Sequence, residues 1–269
     1  MISSEKMENI AKKVRIDVLE MTCKSGSGHP GGSLSCVDIL VALYFKILNH
    51  NRENPGWEDR DRFILSKGHA APAFFSILAK CGYISESELK NLRSFGAILQ
   101  GHPNRALPGV EVSTGSLGQG LSIAAGVAFS AKMDFKNYFT YVLLGDGECD
   151  EGQIWEAAMF ASHNKLDNLI VIVDRNQFQI DDLTEKVVSL EPFSKKWESF
   201  GWFVCEVDGN NIDALLKGFE TVKPLKGKPK VIIAHTLKGK GVTFMEGCNV
   251  YHGKCLTTEE CIRACNELS

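Results

Sequence analysis

Two kinds of apolar pattern alternate along this chain. Residues 141–144, 169–173 and 231–234 are nearly continuous apolar runs, as expected of strands covered on both faces. Elsewhere apolar residues recur every three or four positions. Ile10, Val14, Val18 and Met21 mark one face of a helix over 5–22. Helices are likewise predicted over 36–48, 70–81, 85–94 and 116–133, with a short strand at 63–65. From there strand and helix alternate: strand 139–144, helix 153–165, strand 169–174, helix 192–199, strand 202–207, helix 211–222, strand 230–235. This alternation predicts an α/β fold, a parallel sheet with helices on both faces. The tail, 257–267, reads as a final helix opened by Thr257, with Glu260 three residues on completing a capping box. The helix at 116–133 is rich in Ala and Gly, which predicts close packing, within the chain or across a subunit interface. No repeat or linker-like run divides the sequence, so residues 1–269 read as one domain.

Composition narrows the function classes. A 44% hydrophobic content suffices for a substantial core, and a net charge of −3 without a basic stripe argues against nucleic acid as a partner. Residues 1–13 lack the apolar core of a signal peptide. No apolar run approaches the ~20 residues that span a bilayer. A cytoplasmic protein with no membrane partner is therefore expected. The nine cysteines include no C-x-x-C pair. Cys261 and Cys265 stand at helical spacing with Cys248, His252 and Cys255 nearby, but the pattern fits no usual zinc site, and reduced thiols are expected.

The chemistry concentrates where apolar runs end. Gly145-Asp146-Gly147 follows one run directly, and Asn176 follows the next, after Asp174 and Arg175. Two oxygen ligands at the ends of neighbouring strands suit a hard divalent cation, and Mg²⁺ usually binds one or two carboxylates together with phosphate oxygens. Gly147 allows close backbone approach to a phosphate. The helix between the two motifs would turn its N-terminus toward the same anion. The local expectation is a metal-bridged diphosphate at the carboxyl ends of parallel strands. Of seven histidines, His50, His163 and His235 read as ordinary packing or surface positions. His29, His69, His102 and His252 each adjoin a glycine in loops between elements, where functional side chains concentrate.

Six blocks in order carry a resemblance. They are Ser27-Gly28-His29-Pro30-Gly31-Gly32; Asp61 to Ala70; Gly101-His102-Pro103; Pro108 to Gly120; Gly145 to Asn176, with Glu151-Gly152 and Trp155-Glu156-Ala157 inside; and Lys238-Gly239-Lys240-Gly241 with His252-Gly253-Lys254. Together they resemble the thiamine diphosphate signature of the transketolases and span residues 27 to 254.

The resemblance implies a thiamine diphosphate-binding fold and a cofactor-dependent transfer of a two-carbon ketol unit from a ketose to an aldose, with the cofactor as electron sink. Asp146, Asn176 and the carbonyl of Phe178 match the ligands of Mg²⁺ (or Ca²⁺ or Mn²⁺). Gly147 and Lys238 match diphosphate contacts, and Gly115 and Leu117 match backbone contacts to the aminopyrimidine. His29 and His102 match channel histidines near the donor hydroxyls. His69 matches a contact to cofactor and substrate, and His252 one between the diphosphate and the reacting carbons. Glu151 matches an interfacial carboxylate coupling two sites. Two departures are Gln177, where many thiamine enzymes carry a second Asn, and Gly32, where some transketolases carry Ser. The matched blocks correspond to the first of three domains, implying the N-terminal subunit of a split transketolase that works with a complementary C-terminal subunit as a dimer of heterodimers. The arginines beside its site motifs are Arg105 and Arg175, so the partner is expected to set acceptor specificity. A deoxyxylulose-phosphate or dihydroxyacetone synthase subunit, or a non-catalytic cofactor-binding relic, are the alternatives. Pentose and hexose phosphates are the default substrates, with unusual sugars open.

Overall fold

The computed structural model describes residues 2–269. Five strands, β1 (Arg62–Leu65), β2 (Thr140–Gly145), β3 (Leu169–Arg175), β4 (Phe203–Asp208) and β5 (Lys230–His235), form one sheet in the order β1-β2-β3-β5-β4, and every pairing is parallel. Side chains alternate faces along a strand, and the sheet divides its strands accordingly. Tyr141, Leu143, Ile170, Ile172 and Ile232 join one core with α1 (Ser4–Ser25), α2 (Pro30–Ser35), α3 (Val37–Ala42), α4 (Ala71–Lys80), α9 (Ile212–Val222) and α10 (Thr258–Glu267). Val142, Leu144, Val171, Val173, Val231 and Ile233 join a second core with α5 (Gln119–Met133), α6 (Gly152–His163) and α8 (Phe193–Ser199). Helices thus cover both faces, as the continuous apolar runs predict. A short helix, α7 (Thr184–Val187), follows β3.

Predicted and observed elements differ where tertiary packing overrides local preference. The predicted helix 36–48 is α3 followed by a π-helical turn at Leu43–Ile47, and a separate short helix, α2, precedes it across a break at Cys36. The sequence Pro30-Gly31-Gly32 discourages a helix, yet α2 forms there because its glycines admit close neighbours. A Cβ on Gly31 would sit 2.9 Å from the carbonyl oxygen of Tyr251, and one on Gly32 would sit 3.2 Å from His69 Nε2. The predicted helix 85–94 is a 3₁₀ turn at Glu86–Asn91 capped by Ser85. The helix predicted from 116 starts at Gln119, because Gly118 takes a left-handed φ of 82°. The capping box forms: Thr257 Oγ1 accepts from Glu260 N, and Thr257 N donates to the Glu260 carboxylate.

The small residues of α5 pack within the chain. Gly120, Ala124, Ala125 and Ala128 are buried, and a Cβ on Gly120 would lie 2.8 Å from the Cα of Ser66, whereas Gly126 faces open space. The same substitution should therefore act in opposite senses on one helix. Gly120→Ala should lower the unfolding free energy of the chain by about 1–3 kcal/mol through overpacking. Gly126→Ala should raise it by about 0.5–1 kcal/mol through helix propensity. Chemical denaturation of the two variants, compared by midpoint at equal slope, checks the pair; equal effects would contradict the assigned packing.

Candidate active site

The register puts Gly145 of β2 beside Asp174 of β3, and Arg175 beside His235 of β5. The carboxyl edge of the sheet therefore presents the Gly145-Asp146-Gly147 turn and the Asp174–Asn176 segment side by side. A cavity of about 220 Å³ opens there. Every site residue predicted from sequence except Glu151 lines it: His29, His69, His102, Gly115, Leu117, Asp146, Gly147, Asn176, Phe178, Lys238 and His252. Glu151 is the exposed N-cap residue of α6 and packs by its Cβ against Gly118. The turn that lines the cavity ahead of α6 is 145–148, so the backbone facing the site is that turn rather than the first turn of the helix expected as its anion end. A larger cleft, about 790 Å³ between α1, the 86–91 turn and α10, gathers Asp17, Glu20, Lys24, Glu86 and Lys90. Among the described residues none of the buried polar atoms lacking a partner lies in it, so volume does not mark it as the site.

Beneath the cavity lies a charged group to which the sequence alone assigns no role. Asp174 is wholly buried and Lys67 is 1% exposed; the two form an ion pair. Asp174 also accepts from Ser35 Oγ at 2.6 Å, from Asn176 Nδ2 at 3.2 Å and from Thr236 Oγ1. Lys67 Nζ also donates to Gly32 O at 2.9 Å. The one sequence signal for it is a carboxylate closing an otherwise apolar strand: a charge there must be paired. A second buried carboxylate, Glu148, accepts from Ser66 Oγ, from Gly118 N at 2.9 Å and from Gly145 N at 3.0 Å, fixing the turn against the start of α5.

Asp146 accepts from Gln177 N at 2.6 Å and Gly147 N at 2.9 Å, and pairs with Arg175 at 3.3 Å. Burial, then the neighbouring Asp174 charge, raises its pKa to about 6. Such a carboxylate gains by meeting a cation. Arg175, a candidate phosphate group by its place in the sequence, is instead engaged by Asp146, Glu185 and Glu191. Arg105 is exposed. Lys238 is 1% exposed and forms no ion pair with a carboxylate among the described residues; its ammonium donates to Asn249 Oδ1 and His252 Nδ1, both at 2.8 Å. Burial and the charge of Lys67 lower its pKa to about 8.

Three imidazoles stand over these groups, with ring centroids 5.3 Å (His29–His69), 5.6 Å (His29–His252) and 5.4 Å (His69–His252) apart. The bond from Lys238 makes His252 Nδ1 the acceptor and leaves its proton on Nε2. His29 Nδ1 is buried without a partner. Burial, then Arg93, lowers the His29 pKa to about 4; burial, then Lys238, lowers that of His252 to about 3; burial and Lys67 hold His69 well below the ordinary value. His102 is more exposed, lies against Gly115, and is lowered by burial and then by Arg93. His69 is not in an open loop but in the 3₁₀ turn Gly68–Ala70. His50 bonds Tyr83 and the Tyr44 carbonyl, the packing role expected of it.

The family model for the transketolase thiamine diphosphate binding domain matches residues 6–268. The chain belongs to the transketolase family. It is 44% identical over 265 residues to an apulose-4-phosphate transketolase subunit of Phocaeicola vulgatus, covering 98% of this chain and 94% of that protein. It is 45% identical over 254 residues to the 6-deoxy-6-sulfo-D-fructose transketolase subunit SqwG of a Clostridium species, covering 94% and 92%. The structure superposes on the transketolase of Campylobacter jejuni with a TM-score of 0.93 at 34% identity, over 99% of this chain and 43% of that one. Human transketolase is 41% identical but is matched over only 40% of its length.

The transketolase site suits the diphosphate end of thiamine diphosphate. Lys238 has neutral partners and no counter-charge, and Gly147 packs where a Cβ would meet Gln179 at 2.7 Å. Gly32, the departure from a family Ser, sits where a side chain would crowd His69. The nine cysteines are free thiols, and among the described residues no group of three or more His, Cys, Asp or Glu is disposed to hold a metal. No helix among the described residues is long and apolar enough to cross a membrane.

The lowered histidines set a pH dependence. Their folded pKa values lie below the ordinary 6.5, so the unfolded chain takes up protons first as pH falls. Their contribution to stability is fully present above pH 6.5 and is lost as pH drops towards 4 and 3. The melting temperature of the cofactor-free chain should fall across this window, and His29→Gln with His252→Gln should flatten that limb. An unchanged slope in the double variant would contradict the neutral cluster.

Proposed function

We propose that this chain is the metal- and diphosphate-binding subunit of a thiamine diphosphate-dependent transketolase, moving a two-carbon ketol unit from a ketose to an aldose. The observation that carries this reading is the convergence, in one cavity, of Asp146, Asn176, Phe178 and an uncompensated Lys238 with four low-pKa histidines. In this reading Asp146, Asn176 Oδ1 and the Phe178 carbonyl hold Mg²⁺ (or Ca²⁺ or Mn²⁺), and Gly147 and Lys238 hold the diphosphate. Gly115 and Leu117 offer backbone to the aminopyrimidine. Bound there, the cofactor supplies the carbanion chemistry. Neutral at pH 7, His29, His69 and His102 accept or donate hydrogen bonds to substrate hydroxyls, and His252 presents its Nε2 proton.

The Phocaeicola and Clostridium relatives are both named as transketolase subunits and are matched over nearly their whole length. This supports a complementary subunit as partner and one diphosphate-binding domain as this chain's share. Their names cite a sugar phosphate and a sulfo-sugar, so the proposed substrate is a ketose bearing an anionic group, without restriction to the pentose phosphates. Self-association as a dimer of heterodimers is supported by exposed apolar residues on α5 and α6, among them Ile123, Met133, Met159 and Phe160, with Glu151 at the start of α6. A cytoplasmic setting goes with this reading.

The chain alone should show no ketol transfer, and mixing it with its complementary subunit should restore turnover; robust activity of the pure chain would refute the split. In the mixture, Asp146→Ala should abolish Mg²⁺-dependent cofactor binding in calorimetry and Asn176→Ala should weaken it. His102→Ala should leave that affinity intact while lowering kcat/KM by roughly 10²–10⁴-fold. Unchanged cofactor affinity in both ligand variants would remove the metal site.

A further inference from the structure

Arg93 belongs to none of the sequence motifs, yet its surroundings are not those of a solvated loop charge. Its backbone is left-handed, with φ 59°, a conformation that non-glycine residues disfavour. The amide is held by Leu99 O at 2.8 Å, and the guanidinium turns inward. Nη1 donates to Ser27 Oγ at 2.7 Å. The guanidinium also lies so close to Gly101 that a Cβ there would meet Nη2 at 2.9 Å and Cζ at 3.0 Å. Ser27 is two residues before His29, and Gly101 immediately precedes His102. One planar group therefore bridges the two segments that bring these histidines to the cavity from distant parts of the sequence.

The charge is also uncompensated. Lys67 and Arg175 near the cavity have carboxylate partners. Arg93 forms no ion pair with a carboxylate among the described residues. After burial, it is the largest influence disfavouring protonation of both His29 and His102. A brace alone could equally carry a counter-ion; leaving it out makes the charge felt at both rings.

We infer that Arg93 is a positioning residue of the ketol-transfer site, its fork joining the Ser27–His29 and Gly101–His102 segments and its uncompensated charge acting on both rings. The inference rests on the proposed substrate roles of His29 and His102. His29 also faces the His69 and His252 rings and feels His102, Lys67 and Lys238. Near Arg93 itself stand Ser27 and Cys255. Arg93 is therefore the one influence shared by both rings that a single substitution removes without touching the cavity lining.

The test uses the whole chain with Arg93→Met and Arg93→Lys, with Arg93→Gln replacing Met should that variant not fold. Ring-labelled histidines are titrated by NMR without cofactor, cofactor affinity is measured with Mg²⁺, and kcat and KM are measured after mixing with the complementary subunit. In Arg93→Met, His29 and His102 should both titrate closer to the ordinary 6.5. Cofactor affinity should hold, and kcat should fall roughly ten- to a hundredfold. Arg93→Lys keeps the charge and loses the fork, so its titrations should stay near native and part of kcat should return. If both rings titrate in Arg93→Met as in the unaltered chain, Arg93 is only a loop brace and the inference is overturned. The titrations are read on the chain alone, so a lack of ketol transfer in the mixture would refute the proposed function without deciding this question.

Discussion

A buried ion pair at the carboxyl edge of the sheet, Lys67 with Asp174, is the contact on which the site is built. Around it converge α2 through Ser35 and Gly32, the end of β1 through Lys67, the end of β3 through Asp174 and Asn176, and the segment after β5 through Thr236. Replacing such a pair by apolar groups is often neutral for stability, whereas removing one partner typically costs about 3–5 kcal/mol. What the pair gives the fold is geometry. It engages the Asn176 amide nitrogen, leaving Oδ1 as the acceptor, here of Phe178 N at 3.1 Å, and it places an anion close enough to Asp146 to raise that carboxyl's affinity for protons or cations.

The same crowding explains the histidines. Three rings within 5.6 Å of one another, over two buried ammonium groups, cannot all carry charge. Each is held neutral at pH 7, and the His252 tautomer is set by Lys238. Neutral rings can accept a proton without first shedding one. Lys238 in turn lacks a carboxylate partner, so a diphosphate would meet an ammonium whose charge no ion pair already neutralises.

The cavity is small for what it is proposed to hold. At about 220 Å³ it lies below the ~300–1,000 Å³ usual for ligand pockets. The chain spans about two fifths of the human and Campylobacter transketolases it matches, and in the proposed reading the complementary subunit supplies the remaining walls. Exposed Ile180 and Val250, each beside cavity or mouth residues, are the apolar surface such a partner would cover.

The apolar patterns of 141–144, 169–173 and 231–234 suffice to read a doubly covered parallel sheet, because continuous and three-to-four spacing report burial directly. The block motifs suffice to gather all but one of the expected site residues into the cavity, since motif glycines and histidines adjoin one another in sequence. Strand order, the α2 helix across Pro30-Gly31-Gly32, and the role of Arg175 are not legible there. Each depends on which distant atoms approach: Tyr251 and His69 over the glycines, Glu185 and Glu191 around the guanidinium. Lys67, Asp174 and Arg93 stand in plain view in the sequence without their partners. A charge's function depends on what neutralises it or fails to, and for residues 107 positions apart, such as Lys67 and Asp174, only the folded chain settles that.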